Sequence, residues 1–276
     1  MPATIDRATA RDGTTILVRH WPPTTGSGWA NVLIVHGLAE HSGRYEHVGD
    51  HLAAAGLDVR GMDLRGFGGS GGRRAWVDRW SQLHDDVEEQ IGAIRSASDL
   101  PVVLYGHSLG GLISLGYVLD GRAGPDLLVL SAPAISATIP AWQRLLVGGM
   151  ARVAPRMTVS NGLNVAVLSS DPGVGERYRS DALNQHRSTA RFGTLAFAEQ
   201  RRVAAALGRL SLPTLVLHGG DDRLVPPAVS RPFEGRSGVT RKVYPGLRHE
   251  IHNEPHAVGD VLTDVVDWLR NEVSRR

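Results

Sequence analysis

Short apolar runs alternate with stretches of helical periodicity along most of this chain. Strands are predicted at Thr15 to Arg19, Val32 to His36, Asp58 to Asp63, Val102 to Tyr105, Leu127 to Ser131, Thr214 to His218 and Arg241 to Tyr244. Helices are predicted from about Val48 to Ala55, around His84 to Ile94, and through Trp268 at the end. Strands this short and this uniformly apolar are those of a buried parallel sheet, and their alternation with helices marks an α/β protein. Between Ala134 and about Arg209 the alternation stops. That stretch reads as helices broken by prolines and glycines, including Trp142 to Val153 and Ala190 to Ala206. The organisation expected is a core from 1–133, a helical cap from 134–209 and a return to the core over 210–276. In the first cap helix Trp142, Leu145, Leu146, Val147, Met150 and Val153 stand near helical spacing. Such a stripe either packs onto the core below or lines a lipid tunnel and touches a membrane surface.

The 276 residues are 42% hydrophobic, enough for a sizeable core. No cysteine is present, which removes disulfides, thiolate metal sites and cysteine nucleophiles. Net charge is +2 with the basic residues scattered, so no stripe exists that would neutralise a nucleic-acid backbone. Neither a signal sequence nor an apolar run long enough to span a bilayer is seen. A soluble, cytoplasmic protein is expected, with the cap as the place for any contact with a membrane.

Candidate chemistry begins where the strand Val102 to Tyr105 runs into Gly106-His107-Ser108-Leu109-Gly110 and then a helix-like segment. G-x-S-x-G between strand and helix is a nucleophile elbow, whose glycines remove Cβ atoms that would clash with neighbouring backbone. Gly68-Gly69-Ser70-Gly71-Gly72 fits the same pattern but lacks strand and helix beside it, so Ser70 reads as a loop residue. A serine hydroxyl needs a base and an orienting acid, which in this topology follow in the order serine, acid, histidine. Asp221 and Asp222 follow a late strand. Asp222 is preferred because Asp221, after two glycines, is placed to turn the chain. His249 follows the last strand; His252 and His256 compete, but Asn253-Glu254-Pro255 reads as the start of the last helix. The oxyanion donors expected are the backbone amides of Leu109 and, after the early strand, Leu38. His47 and His51 have the spacing of zinc ligands, yet Val48 stands where H-E-x-x-H needs glutamate, so neither a metal nor a cofactor is expected.

The run His36-Gly37-Leu38-Ala39-Glu40-His41-Ser42-Gly43-Arg44-Tyr45, taken with the elbow, resembles the monoacylglycerol lipase group of α/β-hydrolases, and most closely its actinobacterial members. Asp63 to Gly66, Leu130 to Pro133, Ser170 to Pro172, His218 to Leu224 and Tyr244 to Glu250 extend the resemblance over nearly the whole chain. It implies an α/β-hydrolase fold, Asp222 rather than Asp221 as the acid, and hydrolysis of a monoacylglycerol to glycerol and fatty acid beneath a cap. By the same analogy Glu40, Arg44 and Tyr178 shape the glycerol end, and Leu145 and Leu146 of the apolar stripe are the substrate-binding candidates that its spacing offers. Glu40 and Arg44 also read simply as an ion pair holding the oxyanion loop. A broader carboxylesterase or lysophospholipase, and a non-turning-over receptor on the same fold, are the alternative functions.

Overall fold

The computed structural model describes residues 3–136 and 140–276. In chain order the elements are β1 (Thr4–Thr9), β2 (Thr15–Trp21), β3 (Ala30–Val35), α1 (Glu46–Ala54), β4 (Leu57–Met62), α2 (Ser81–Ala97), β5 (Val102–His107), α3 (Leu109–Leu119) and β6 (Leu127–Ser131). They continue with α4 (Ala141–Val153), β7 (Thr158–Ser160), α5 (Pro172–Ser180), β8 (Arg187–Thr189), α6 (Ala190–Ala206), β9 (Thr214–Gly219), β10 (Val239–Tyr244) and α7 (Val258–Ser274). Eight strands form one sheet in the order β1-β2-β4-β3-β5-β6-β9-β10. Strand β2 runs antiparallel to both its neighbours, and every other pairing in this sheet is parallel.

Side-chain alternation sorts the strands between two cores. From β3, Leu33 and Val35 join Leu83 and Val87 of α2 and Leu112 of α3, while Val32 and Ile34 face Val48 and Leu52 of α1 and Val265 of α7. A one-residue slip would exchange the two sets, so burial on both faces holds the register. Strand β1 was not anticipated. It is an exposed edge strand with a polar sequence, Thr-Ile-Asp-Arg-Ala-Thr, and owes its place to the ladder with β2. The last helix begins at Val258, not at Asn253 to Pro255. The reason is that Glu254 turns its carboxylate back to accept from the backbone amides of Ser170 and Arg248, and Asn253 donates to Glu250 instead of capping.

Between β6 and β9 the chain leaves the sheet, and α4 packs against α6 above it. Packing of the α4 stripe onto the core does not occur at Trp142, Leu145, Leu146 and Val153, which are 65%, 76%, 56% and 89% exposed. Among the described residues no helix is long and apolar enough to cross a membrane.

The turn from β5 to α3 is the tightest feature. Ser108 takes φ 51°, ψ −113°, a conformation that costs a non-glycine residue of order 1–3 kcal/mol. Its surroundings hold it there: Ser108 N donates to Ser131 O at 2.9 Å, and Ser108 O accepts from the amides of Leu112 and Ala134. The glycines on either side permit the approach. A Cβ on Gly110 would stand 2.0 Å from Val35 O, and one on Gly106 2.5 Å from Gly110 O. Gly110→Ala is therefore expected to destabilise the protein by at least ~1–3 kcal/mol, read as a lowered thermal midpoint. Alanine at Gly92, where nothing lies within 4 Å, is the control and should not destabilise its helix.

Candidate active site

Ser108 is 8% exposed and opens into a cavity of about 600 Å³ between the sheet and the segment that links β6 to β9. Leu38, Leu109 and His249 line the same cavity, as do Leu112, Met150 and Phe192 along its apolar length. Leu109 is the first residue of α3, so its amide has no carbonyl within that helix to bond. Leu38 lies on the turn that follows β3, where Ala39 takes φ 66°. His36 orders that turn from behind: its Nε2 accepts from Leu64 N at 2.9 Å and its Nδ1 donates to Gly37 O at 2.8 Å. Burial depresses the His36 pKa and keeps the ring neutral, as this pairing requires.

Asp222 and His249 come together from opposite sides of β10. His249 Nδ1 donates to Asp222 Oδ2 at 2.7 Å, while Asp222 Oδ1 accepts from the amides of Leu224 and Val225, each at 2.8 Å. Asp221 is exposed and lies outside this arrangement. Burial works against a charge on Asp222. The hydrogen bonds from His218 and His249 outweigh it and hold the pKa well below the usual carboxylate range. His218 Nε2 is shared between Val225 O at 2.7 Å and Asp222 Oδ2 at 3.4 Å. Among the described residues, Ser108 Oγ and His249 make no direct hydrogen bond; such contacts commonly close only around a bound substrate.

Rings pack behind His249. His107 lies 4.8 Å from it and 4.7 Å from His252, which stacks on Tyr45 at 4.9 Å. Burial, then the neighbouring His249, push the His107 pKa down to about 3, and burial drives that of His252 well below its usual value. Both rings are therefore neutral near His249, and His252 is fully buried, outside the cavity lining and without the carboxylate partner that His249 has. His256 stands in the turn before α7, outside the cavity lining. Ser70 is buried with its hydroxyl accepting from Leu17 N and donating to Asp63 O, a structural brace. His47 donates to His252 O at 2.5 Å, and no group among the described residues is arranged to hold a metal.

The polar end of the cavity is an ion-pair network. Glu40 Oε1 accepts from Gly37 N at 2.6 Å and from Tyr45 OH at 2.8 Å, and its other oxygen is bound by Arg44. Arg44 also makes a two-pronged pair with Glu250, at 2.7 and 2.8 Å, and its guanidinium lies 4.9 Å over the Tyr178 ring. Tyr178 OH donates to Ala39 O at 2.8 Å. Sequence reading overlooked Glu250, His107 and His218. Glu250 directly follows His249, and an unpaired acid beside a basic residue on another loop is the signal that would have marked it. Leu146 lines the cavity, whereas Leu145 points away from it and is 76% exposed, because the two lie about 100° apart around α4.

Comparison with known proteins places the chain in a family. A family model described as "Serine aminopeptidase, S33" matches residues 27–256. A monoacylglycerol lipase of Mycolicibacterium smegmatis is 35% identical over 264 residues, covering 93% of each chain. The crystal structure of a Paleococcus ferrophilus monoacylglycerol lipase matches with a TM-score of 0.80 at 29% identity, covering 99% of this chain and 100% of that one. A soluble variant of monoglyceride lipase from Saccharomyces cerevisiae, in complex with a substrate analog, shares the fold with a TM-score of 0.88 at 22% identity, covering 99% and 96%. The chain belongs to the serine aminopeptidase S33 family and is a serine hydrolase of the α/β-hydrolase fold.

Proposed function

We propose that this enzyme hydrolyses monoacylglycerols to glycerol and free fatty acid through an acyl-serine. The observation that carries the reading is an elbow serine and a His–Asp pair at one end of a cavity that is otherwise apolar and of a size for a single-chain lipid. Ser108 Oγ attacks the ester carbonyl while His249 Nε2 takes its proton. Asp222 holds the ring with Nδ1–H toward itself and stabilises the imidazolium that forms. The amides of Leu38 and Leu109 hold the oxyanion. Collapse of the tetrahedral intermediate breaks the bond to glycerol, which leaves with the proton from His249. Water, activated by the same histidine, then releases the fatty acid.

The acyl chain runs beneath the segment 134–209, which serves as the cap, and the glycerol lies toward Glu40, Arg44 and Tyr178. These three are so heavily committed to one another and to Glu250 that their first task is to hold the oxyanion turn. The exposed stripe of α4 supports contact of the cap with a lipid surface, from which a sparingly soluble substrate would enter.

Glycerol release from a chain-length series of monoacylglycerols tests the function, beside diacylglycerol, lysophosphatidylcholine and short p-nitrophenyl esters. Turnover confined to monoacylglycerols is expected; a preference for short esters or lysophospholipid would replace the reading with a general esterase or lysophospholipase. Ser108→Ala and His249→Ala should each lower kcat by about four to six orders of magnitude. Asp222→Asn should cost far more than Asp221→Asn, and equal losses would remove Asp222 as the acid.

Glu40→Ala is expected to lower kcat by about 100-fold with little change in KM, because the oxyanion turn loses its anchor, and Glu40→Gln should restore part of this. Glu40 also carries a pH signature. Burial opposes its ionisation, but the charge of Arg44 and the neighbouring donors bring its pKa down to about 2. Since that lies below the value in the unfolded chain, the ionised pair stabilises the fold at neutral pH, and the contribution is lost as pH falls from about 4.5 toward 2. Chemical denaturation at neutral and acid pH should show a smaller loss in Glu40→Gln than in the parent; an undiminished loss would count against the pair.

A further inference from the structure

Three arginines converge on one indole at the junction of cap and core. The guanidinium carbons of Arg73, Arg191 and Arg156 lie 5.4, 5.5 and 6.0 Å from the Trp76 ring centroid. They arrive from separate places: the loop after β4, the start of α6 and the loop between α4 and β7. Among the described residues, Arg73 and Arg156 have no hydrogen-bond or ion-pair partner, and both are exposed. Arg191 donates only to the backbone carbonyls of Val77 and Asp78, which leaves its charge unneutralised. One carboxylate stands at the ring's edge, Asp78, whose Oδ1 accepts from Trp76 Nε1 at 3.2 Å. The balance around the ring is positive. Like charges so close repel one another, and an anion placed among them would lower their energy.

The surroundings indicate what carries that anion. Beside Arg156 stands Met157, 49% exposed, and α4 leads into this loop with Leu145, Val153 and much of Trp142 exposed to solvent. No Asp or Glu occurs between Asp126 and Asp171, whereas Arg144, Arg152 and Arg156 do. A free anion would have no use for an apolar ridge, and a neutral surface none for the arginines. A lipid surface bearing negative headgroups matches both, with an indole at the headgroup level as interfacial tryptophans are placed. We propose that Trp76, Arg73, Arg156 and Arg191 form a binding site for the phosphate headgroup of an anionic lipid, seating the α4 face on negatively charged membranes. The site rests on the reading that the cap contacts lipid surfaces, and adds the chemistry of the surface it selects.

Co-sedimentation of the whole protein with vesicles of phosphatidylcholine, alone or mixed with phosphatidylglycerol, tests it. Binding to the mixed vesicles should be at least about tenfold tighter and should weaken with salt. Combined Arg73→Gln and Arg156→Gln should reduce binding to the mixed vesicles by roughly 25-fold, about fivefold for each charge, while hydrolysis of a short water-soluble ester is unchanged. Combined Trp142→Ser and Leu145→Ser should instead weaken binding to both vesicle types. Equal affinity for the two vesicles, or a preference that survives loss of the arginines, overturns the headgroup site and leaves cap–lipid contact standing. Binding to neither overturns both. A preference abolished by inorganic phosphate at constant ionic strength would make this a soluble-anion site and likewise overturn the proposal.

Discussion

The backbone conformation of Ser108 is the constraint from which the rest of the site follows. A left-handed serine persists only where its neighbours over-determine it, and here they do so through close contacts that glycine alone allows at 106 and 110. The two central strands on either side of β5 supply the opposing surfaces: Val35 O from β3 and Ser131 O from β6. The nucleophile is thus presented by the sheet itself. The same turn places Leu109 at the start of α3, where its amide has no partner within the helix and is free to serve the oxyanion role proposed for it.

Around that rigid point, two loops have to be brought into register, and the page of contacts between them is polar. Glu40 grips the oxyanion turn, Glu250 follows the histidine, and Arg44 holds both carboxylates at once. Buried charges are costly unless every one is paired, so a network of this kind tolerates one geometry and penalises displacement of either loop. The segment between β6 and β9 is tied to the same two loops. Gln185 N and Tyr178 OH bond Ala39 O, while Arg248 bonds the carbonyls of Ala166 and Ser169 and Glu250 N bonds Leu168 O. By contrast α4 has its partner in α6 and shows solvent its largest side chains. Within this one segment, therefore, the part near Ala39 and Glu250 is hydrogen-bonded to the core loops, while α4 packs on α6 and leaves large side chains in solvent.

The parallel strands and the elbow are legible in the sequence because burial on both faces leaves uniform apolar runs, and because a strained turn demands glycine at set places. Strand β1 is not, since an edge strand with a solvated face carries little apolar signal. The start of α7 was misread for a different reason. Asn253, Glu254 and Pro255 are good helix openers, but their side chains are recruited by Glu250, Ser170 and Arg248, contacts remote in sequence. The site divides in the same way. Ser108, Asp222 and His249 stand out because motif and chain order single them out, whereas His107 and His218 matter through ring packing and a shared carboxylate that spacing does not encode. Leu145 and Leu146 are adjacent in sequence yet face outward and inward, a distinction that helical phase makes only once the partner helix is placed.

The pair between Arg44 and Glu250 joins positions 206 residues apart. During synthesis the elbow and the oxyanion turn emerge first, with the strands that hold them, while the histidine and its acid are still to come. A chain cut short of Asp222 lacks both members of the Asp222–His249 pair. Arg44 can gain its second carboxylate only after the loop that carries Glu250 has been made. The contact that ties the two loops together is thus among the last that the growing chain can make.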